Sequence, residues 1–334
     1  MKEKADPVFI KARLVPFKLL PLVENEIENL VKANVLEKVN SSKWATPVVP
    51  VLKNNNKVRL CGDFKVTLNS ALEIDEHPLP TIDELFANVA GGTLFSKIDL
   101  QNPYLQLEVA PEDRHLLTLN THKGLYQCNR LLYGMASAPA IWQRTMENIL
   151  QGIPGISIFL DEIKITGISD EAHLHTLTTD FERLREYNIK VNLEKSQFFK
   201  KEIEYCGYTI NKDGLHKTDS KIDAINKMPR PTNVTEVRAF IGFINYYGRF
   251  IKDLSTILYP LNKLLCKGTK FVWSKQCQKS FELAKEKFQS KEFLAHFNPK
   301  LPLILATDAS SYGAGAILSH VYPNGEERVI QYAS

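Results

Sequence analysis

Residues 156–167, ISIFLDEIKITG, constrain the fold of this chain more than any other stretch. Apolar residues alternate up to Leu160, the acids Asp161 and Glu162 follow, and Ile163 and Ile165 resume the alternation. A period of two is the signature of strands, so the spacing predicts a tight β-hairpin with both acids at its bend. Neither Gly nor Asn stands there to supply the positive φ that short hairpins favour. Adjacent acids between apolar strands are costly to desolvate unless water or a cation neutralises them. Taken alone, the segment fits a solvated turn with two surface acids as well as it fits half of an acidic site.

With 334 residues the chain is long enough for two or three domains with real cores. Hydrophobic residues make up 44% and charged residues 24%, the balance of a soluble globular protein. No run of about eighteen apolar residues occurs, so no transmembrane helix is expected. The N-terminus lacks the apolar core and small residues of a secretory signal. Five scattered cysteines (Cys61, Cys128, Cys206, Cys266, Cys277) and the His173-x-His175 pair lack zinc-site spacing and fit a reducing, intracellular compartment. The net charge of +4 is concentrated: Arg183 to Arg230 holds eleven Lys or Arg against seven Asp or Glu. Such an excess suits a phosphate-tracking surface, and equally an ordinary solvated face.

Pro7 and Pro16 predict an extended start. Pro21 opens a helix with Val23, Ile27, Leu30 and Val31 at helical spacing, ending near Asn34. TPVVPVL and KVRLCGDF read as strands joined by the polar turn KNNN, decorated by Lys53, Lys57 and Arg59. After HPLP at 77–80 and a helix around Thr81 to Val89, Leu94, Phe95, Ile98 and Leu100 predict a buried strand. Asp99 is an acid inside that apolar run and needs a partner or a metal, unless it caps a loop. LLTLNT and YQCNRLL form a further strand pair. Ser137 is a candidate N-cap for a helix opened by Pro139, with Trp142, Met146, Ile149 and Leu150 on one face.

Glu171 to Tyr187 reads as an amphipathic helix burying Leu174, Leu177, Phe181 and Leu184. KVNL is a short strand signal, and YCGYTI–NKDG–LH is a hairpin. Pro229-Arg230-Pro231 marks a boundary or hinge. Asn233 and Glu236 have capping-box spacing for a helix bearing Val237, Phe240, Ile241, Ile244, Phe250 and Ile251. A second helix spans roughly Gln276 to Gln289. In the final stretch Leu303 to Thr307 predicts a buried strand ending in Asp308, then Ala314 to Leu318 and Val329 to Ala333. Three strands without a covering helix cannot bury both faces, so these residues should be poorly packed, the start of a domain with more to follow.

The order of these pieces resembles a known family. WATPVVPVLK, VRLCGDFKVTLN, FSKIDLQNPYLQ, LYGMASAPAIWQ, IFLDEIKITG, EYCGYTINKDGL and VRAFIGFINYYGRFI match, in order, blocks of the reverse transcriptase of gypsy-class long-terminal-repeat retrotransposons. TDASSYGAGAIL resembles the opening strands of the ribonuclease H domain that follows in such Pol polyproteins. The resemblance implies an α+β, right-hand polymerase with fingers, palm and thumb, an antiparallel palm sheet, a helical connection and truncated ribonuclease H-like strands. By that likeness, 1–180 are fingers and palm, 181–230 the end of the palm and a basic thumb region, 231–298 a helical thumb or connection segment, and 299–334 the ribonuclease H-like start.

The function implied is RNA-directed DNA polymerisation, adding dNTPs to a primer 3′-hydroxyl. Two Mg²⁺ ions about 4 Å apart, or Mn²⁺ in their place, would activate the hydroxyl and neutralise the leaving pyrophosphate. Carboxylates suit Mg²⁺, and Asp99, Asp161 and Glu162 match the family's catalytic acids. Lys53 or Lys57, with Arg59, would hold the triphosphate, Tyr104 would gate against a 2′-hydroxyl, and Tyr133 with Gly134 would line the nucleotide pocket. Cys206, Gly207 and Tyr208 fall where the family positions the primer. Asp308 is the first ribonuclease H acid, and that active site is incomplete in this stretch. Implied partners are an RNA or DNA template–primer duplex, dNTPs and the rest of the Pol polyprotein, with no membrane. The implied setting is a cytoplasmic retroelement particle, with the nucleus as a second compartment.

Four positions depart from the family pattern. Glu162 replaces an Asp, Pro103 a small residue, Leu132 a proline and Cys206 a leucine. Glu reaches about 1.5 Å further than Asp, and a 1 Å misplacement can cost roughly a hundredfold in rate. The alternative reading is therefore an impaired or dead remnant that only binds nucleic acid. A two-carboxylate hydrolase explains none of the ordered blocks.

Overall fold

The structure is a computed structural model and describes residues 2, 5–53, 56–290, 292–310 and 313–334. By contacts the chain divides into two units. The first takes 1–81, 97–164 and 177–197, and the second takes 82–96, 165–176 and 198–334.

In the first unit Pro21 lies in the opening turn of α1 (Leu20–Lys32), which buries Val23 and Ile27 as their spacing requires. Strands β1 (Leu36–Val39), β2 (Thr46–Leu52) and β3 (Val58–Gly62) follow. Residues β2 and β3 pair antiparallel out to Leu52–Val58. The KNNN turn between them lies partly outside the described residues, at Asn54 and Asn55. Helix α2 (Ile82–Asn88) belongs to the second unit, and β4 (Leu94–Asp99) runs from the second unit into the first. Strands β5 (Thr118–Thr121) and β6 (Gly124–Cys128) complete a five-stranded sheet ordered β1-β6-β5-β2-β3. Its core gathers Trp44, Phe64, Leu68, Leu119 and Cys128 around the buried face of α1.

Helix α3 (Ala138–Leu150) buries Trp142, Met146, Ile149 and Leu150. Ser137 precedes it but makes no side-chain cap; its hydroxyl accepts instead from the Asp75 N–H at 3.1 Å. The hairpin follows as β7 (Ile156–Phe159) and β8 (Glu162–Gly167). These two join β4 and β9 (Gln197–Lys200) in a four-stranded sheet ordered β7-β8-β4-β9. Helix α4 (Asp170–Glu186) corrects the expected stripe: Leu174 is 53% exposed, while His173, Thr176 and Asp180 are buried beside Leu177 and Leu184. A polar buried face is what hydrophobic spacing cannot announce. KVNL forms only an isolated bridge, Leu100 to Val191.

In the second unit β10 (Glu202–Tyr205), β11 (Tyr208–Asn211) and β12 (Leu215–Lys217) make an antiparallel sheet. Helix α5 (Asp219–Lys227) precedes the Pro229-Arg230-Pro231 break, which lies inside this unit. The Lys285 ammonium bridges towards that break by donating to the carbonyls of Asn226 and Met228, both at 3.0 Å. Helix α6 (Val234–Tyr246) starts as its capping box demands, with the Asn233 side chain accepting from the Glu236 N–H. It stops at Tyr246, so Phe250 and Ile251 lie beyond it, buried in a short turn and its exit. Helix α7 (Leu254–Lys263) contains Pro260 and was hidden by that proline, which reads as a breaker. Helix α8 (Lys275–Gln289) buries Phe281, Ala284 and Phe288.

Strands β13 (Leu303–Ser310), β14 (Gly313–Val321) and β15 (Glu327–Ala333) close the chain. Ser311 and Tyr312 lie outside the described residues. The expectation of a buried β13 is corrected, because Leu303, Ile304 and Leu305 are 49%, 41% and 65% exposed. Poor packing was the expectation for this sheet as a whole, and β13 shows it on both faces. Among the described residues no helix is long and apolar enough to cross a membrane.

Candidate active site

The hairpin turn is made by Leu160 and Asp161, and Glu162 is already the first residue of β8. Leu160 supplies the left-handed residue, at φ 53°, an unfavourable geometry for a branched side chain costing about 1–2 kcal/mol. The Leu100 N–H donates to the Asp161 carbonyl at 2.9 Å, so the end of β4 and the turn are joined by backbone. The Asp99 carbonyl accepts from the Asn192 N–H at 2.7 Å, and its N–H donates to the Ser196 hydroxyl at 3.0 Å.

Asp99 and Asp161 line one cavity of about 630 Å³, within the first unit. Lys53, Lys57, Arg59 and Tyr133 line the same cavity, as their motifs imply. The Arg59 guanidinium lies 4.2 Å from the Tyr133 ring centre, and Tyr104 packs on Tyr133 at 4.9 Å. Gly134, expected beside Tyr133 in the pocket, is not among the lining residues; it holds φ 103°, where a Cβ would come within 2.2 Å of the Gly62 carbonyl, so only glycine fits. Sequence reasoning missed Gln101, Asn102, Asn192 and Lys195, which also line it. Asn102 holds a left-handed backbone at φ 44°, and the Lys195 ammonium stands 4.0 Å from Asp99. Lys195 lies within the basic stretch from Arg183, but no local motif separated it from its neighbours.

The electrostatics are those of opposed charges in a partly dry cleft. Burial raises the Asp99 carboxyl above its ordinary range, Lys195 opposes that, and Asp161 adds to it. Burial, then repulsion from Arg59, lowers the Lys53 ammonium. Burial takes the Tyr133 phenol up to about 12 and raises that of Tyr104. A cleft that shifts acids and cations alike is a functional-site signature.

Glu162 is placed differently. Its carboxylate is held by the Lys97 ammonium on one oxygen and by Lys164 at 2.7 Å on the other. Lys164 is fully buried, two residues along the same face of β8. Burial pushes the Glu162 carboxyl up, but the two lysines outweigh it and leave it below its usual range. Among the described residues no three His, Cys, Asp or Glu side chains converge to hold a metal. With Glu162 turned to the lysines, Asp99 and Asp161 are the acids left lining the cavity.

The remaining expected residues lie in the second unit. Cys206 and Gly207 form the β10–β11 turn at φ 49° and φ 80°. Tyr208 is 1% exposed and stacked against Tyr246 and Phe250, so its side chain is core and only the turn beside it faces outward. The Tyr246 and Tyr247 hydroxyls donate to the Cys206 and Gly207 carbonyls at 2.6 and 2.8 Å. Asp308 is exposed on β13 and accepts from the Ala309 N–H at 2.9 Å.

Residues 51–210 match the family described as reverse transcriptase (RNA-dependent DNA polymerase), and 273–334 match the RNase H-like domain found in reverse transcriptase. The chain carries a reverse transcriptase domain followed by its RNase H-like companion. Its relatives include Pol polyproteins of retrotransposons. It is 36% identical over 254 residues to the uncharacterized protein K02A2.6 of Caenorhabditis elegans, covering 75% of this chain and 20% of that protein. It is 30% identical over 337 residues to the retrovirus-related Pol polyprotein from transposon 412 of Drosophila melanogaster, covering 98% of this chain and 27% of that one. The chain thus spans about a fifth to a quarter of these relatives' length. Its fold is similar to a foamy viral protease-reverse transcriptase solved in complex with double-stranded DNA, with a TM-score of 0.90 at 23% identity over 99% of this chain and 58% of that one. Reverse transcriptases generally use divalent metals.

Proposed function

We propose that this chain is the polymerase portion of a retroelement Pol protein and extends a primer 3′-hydroxyl with dNTPs on an RNA or DNA template. The observation that carries this reading is the cavity in which Asp99 and Asp161 face Lys53, Lys57, Arg59 and Lys195. Asp99 and Asp161 would hold divalent cations, Mg²⁺ or Mn²⁺. Such ions, when bound, lower the pKa of the attacking hydroxyl and neutralise charge on the leaving phosphates. Arg59, Lys53 and Lys57 bind the triphosphate and offset the charge that grows on it. Tyr133, fixed under the Arg59 guanidinium, and Tyr104, packed on it, form the floor for the sugar. The Cys206-Gly207 turn and the basic stretch from Arg183 to Arg230 track the duplex through its phosphates, reading shape rather than base edges. Under this reading 1–180 act as fingers and palm, 181–230 and 231–298 as thumb and connection, and 299–334 with Asp308 as the ribonuclease H-like start, within a retroelement particle.

Single-nucleotide primer extension on an RNA template tests it. Asp161→Asn should lower extension at least about a hundredfold with primer–template affinity kept. Arg59→Ala should raise the KM for dNTP and spare duplex binding. Extension untouched by Asp161→Asn would sink the reading. A second reading has one observation in its favour: the lysine pair holds Glu162 away from the acids it was expected to join. It makes the chain a nucleic-acid-binding remnant. Duplex binding without incorporation supports it, and extension that appears only in Glu162→Asp, Lys164→Leu assigns the defect to the lysine hold.

A further inference from the structure

Strand β7 lies at the edge of its sheet, and an edge strand leaves outward N–H and C=O groups without a ladder partner. Here α3 satisfies them with side chains. The Gln143 carboxamide donates to the Ile158 carbonyl at 3.0 Å and accepts from the Leu160 N–H at 2.9 Å. Those are the two bonds that one residue of a parallel neighbouring strand would make to alternate residues of β7. The Trp142 indole donates to the Leu160 carbonyl at 2.6 Å. Both peptide groups of the left-handed residue thus end on α3, and both side chains that hold it are fully buried. Only one orientation of the Gln143 amide serves a donor and an acceptor so arranged.

The hold continues outward. The second Gln143 N–H donates to one oxygen of Glu147 at 2.8 Å, and the His77 ring nitrogen bonds the other at 2.8 Å. The 75–77 loop is itself tied to α3 through Arg144 on Asp75 at 2.6 Å, and the His77 N–H caps Asp75 at 3.0 Å. The HPLP segment, which has no part in the polymerase chemistry above, therefore reaches the residue that grips the turn through Glu147.

We propose that Gln143 is the positioning residue of Asp161, and that His77 and Glu147 fix its carboxamide from the opposite side. The proposal rests on the reading of Asp161 as a metal-holding carboxylate. A turn carrying a left-handed leucine relaxes unless both its peptide groups are captured, and relaxation moves the adjacent carboxylate.

The test compares Gln143→Met, Gln143→Glu, the pair Gln143→Glu with Glu147→Gln, and Asp161→Asn. Three readouts are needed: amide exchange at Leu160 in metal-free protein, Mn²⁺ binding by electron paramagnetic resonance, and kcat and KM of primer extension. Gln143→Met should speed Leu160 exchange about tenfold or more. It should weaken Mn²⁺ binding and kcat about 10–100-fold, with KM for dNTP and duplex affinity nearly unchanged. Gln143→Glu alone sets two carboxylates together and should do the same. The paired change restores the 143–147 hydrogen bond and the acceptor for Leu160, and should recover Leu160 protection. Asp161→Asn should weaken Mn²⁺ binding while leaving Leu160 protected. Unchanged exchange and Mn²⁺ affinity in Gln143→Met, with Asp161→Asn defective, would overturn the positioning role and spare the site. Unchanged Mn²⁺ affinity in Asp161→Asn would instead overturn the reading of the site. The exchange and Mn²⁺ arms decide even in a chain that does not polymerise.

Discussion

The β7–β8 and β10–β11 hairpins solve the same backbone problem with different side chains. Each turn carries a non-glycine residue in the left-handed region, Leu160 at φ 53° and Cys206 at φ 49°. Each is held by side-chain hydrogen bonds, from Trp142 and Gln143 of α3 in one case and from Tyr246 at the end of α6 and Tyr247 just after it in the other. Each also has a buried lysine nearby. Lys164 is paired with Glu162, whereas the Lys217 ammonium has no hydrogen-bond partner among the described residues and lies 5.0 and 5.8 Å from the rings of Phe250 and Phe288. The second hairpin relieves its turn with Gly207; the first keeps an acid, Asp161, in the corresponding place. Both turns thus carry one strained left-handed residue, and they differ in the next one, a glycine at φ 80° in the second hairpin and the acid in the first.

The largest expected effect separates the two lysines. Glu162→Gln removes the carboxylate that the buried Lys164 is paired with and should cost roughly 3–5 kcal/mol in urea unfolding. Glu162→Leu with Lys164→Leu should recover most of it. A loss below about 1 kcal/mol for Glu162→Gln would show that the lysines are hydrated and the contrast false. Lys217 should behave oppositely. Burial lowers its ammonium to about 8 from 10.5, so the folded state holds fewer protons than the unfolded state between those values. Stability from this group therefore rises with pH from about 8 to 10.5 and is lowest below 8. Lys217→Met should stabilise the protein at pH 7 by up to roughly 3 kcal/mol and remove that rise. The difference between wild type and variant across the pH series is the measurement. Glycine at the two left-handed positions has the smallest effect. Leu160→Gly and Cys206→Gly should each change stability by less than about 1 kcal/mol, because relief of strain offsets added unfolded-state entropy. Leu160→Gly should lower kcat for primer extension, since that turn carries Asp161, whereas any effect of Cys206→Gly should fall on duplex affinity.

Most of the fold was legible because it follows from local patterns. The α1 stripe, the Asn233–Glu236 cap and the alternation around Asp161 each state their own structure. The site was legible as ordered blocks that bring Arg59, Asp99, Tyr133 and Asp161 to one cavity. What stayed hidden depends on partners distant in sequence. Glu162 and Lys164 share a strand face by simple alternation, but nothing local says that Lys97 of β4 completes the hold. Gln143 reads as one more polar residue on a helix until the edge of β7 is set against it. His173 and Asp180 displaced Leu174 from the buried face of α4, a choice made by packing rather than by hydropathy.

Because Lys97 and Lys164 take up the charge of Glu162, the cavity is left with two acids facing four cations, Lys53, Lys57, Arg59 and Lys195. Under the function proposed above, its field would attract a polyphosphate before any metal is bound. Encounter with the nucleotide should then be fast in dilute buffer and fall steeply as ionic strength shortens the Debye length towards about 8 Å. Escape from the cavity, governed by contacts at closer range, should respond much less, so added salt weakens capture chiefly by slowing arrival.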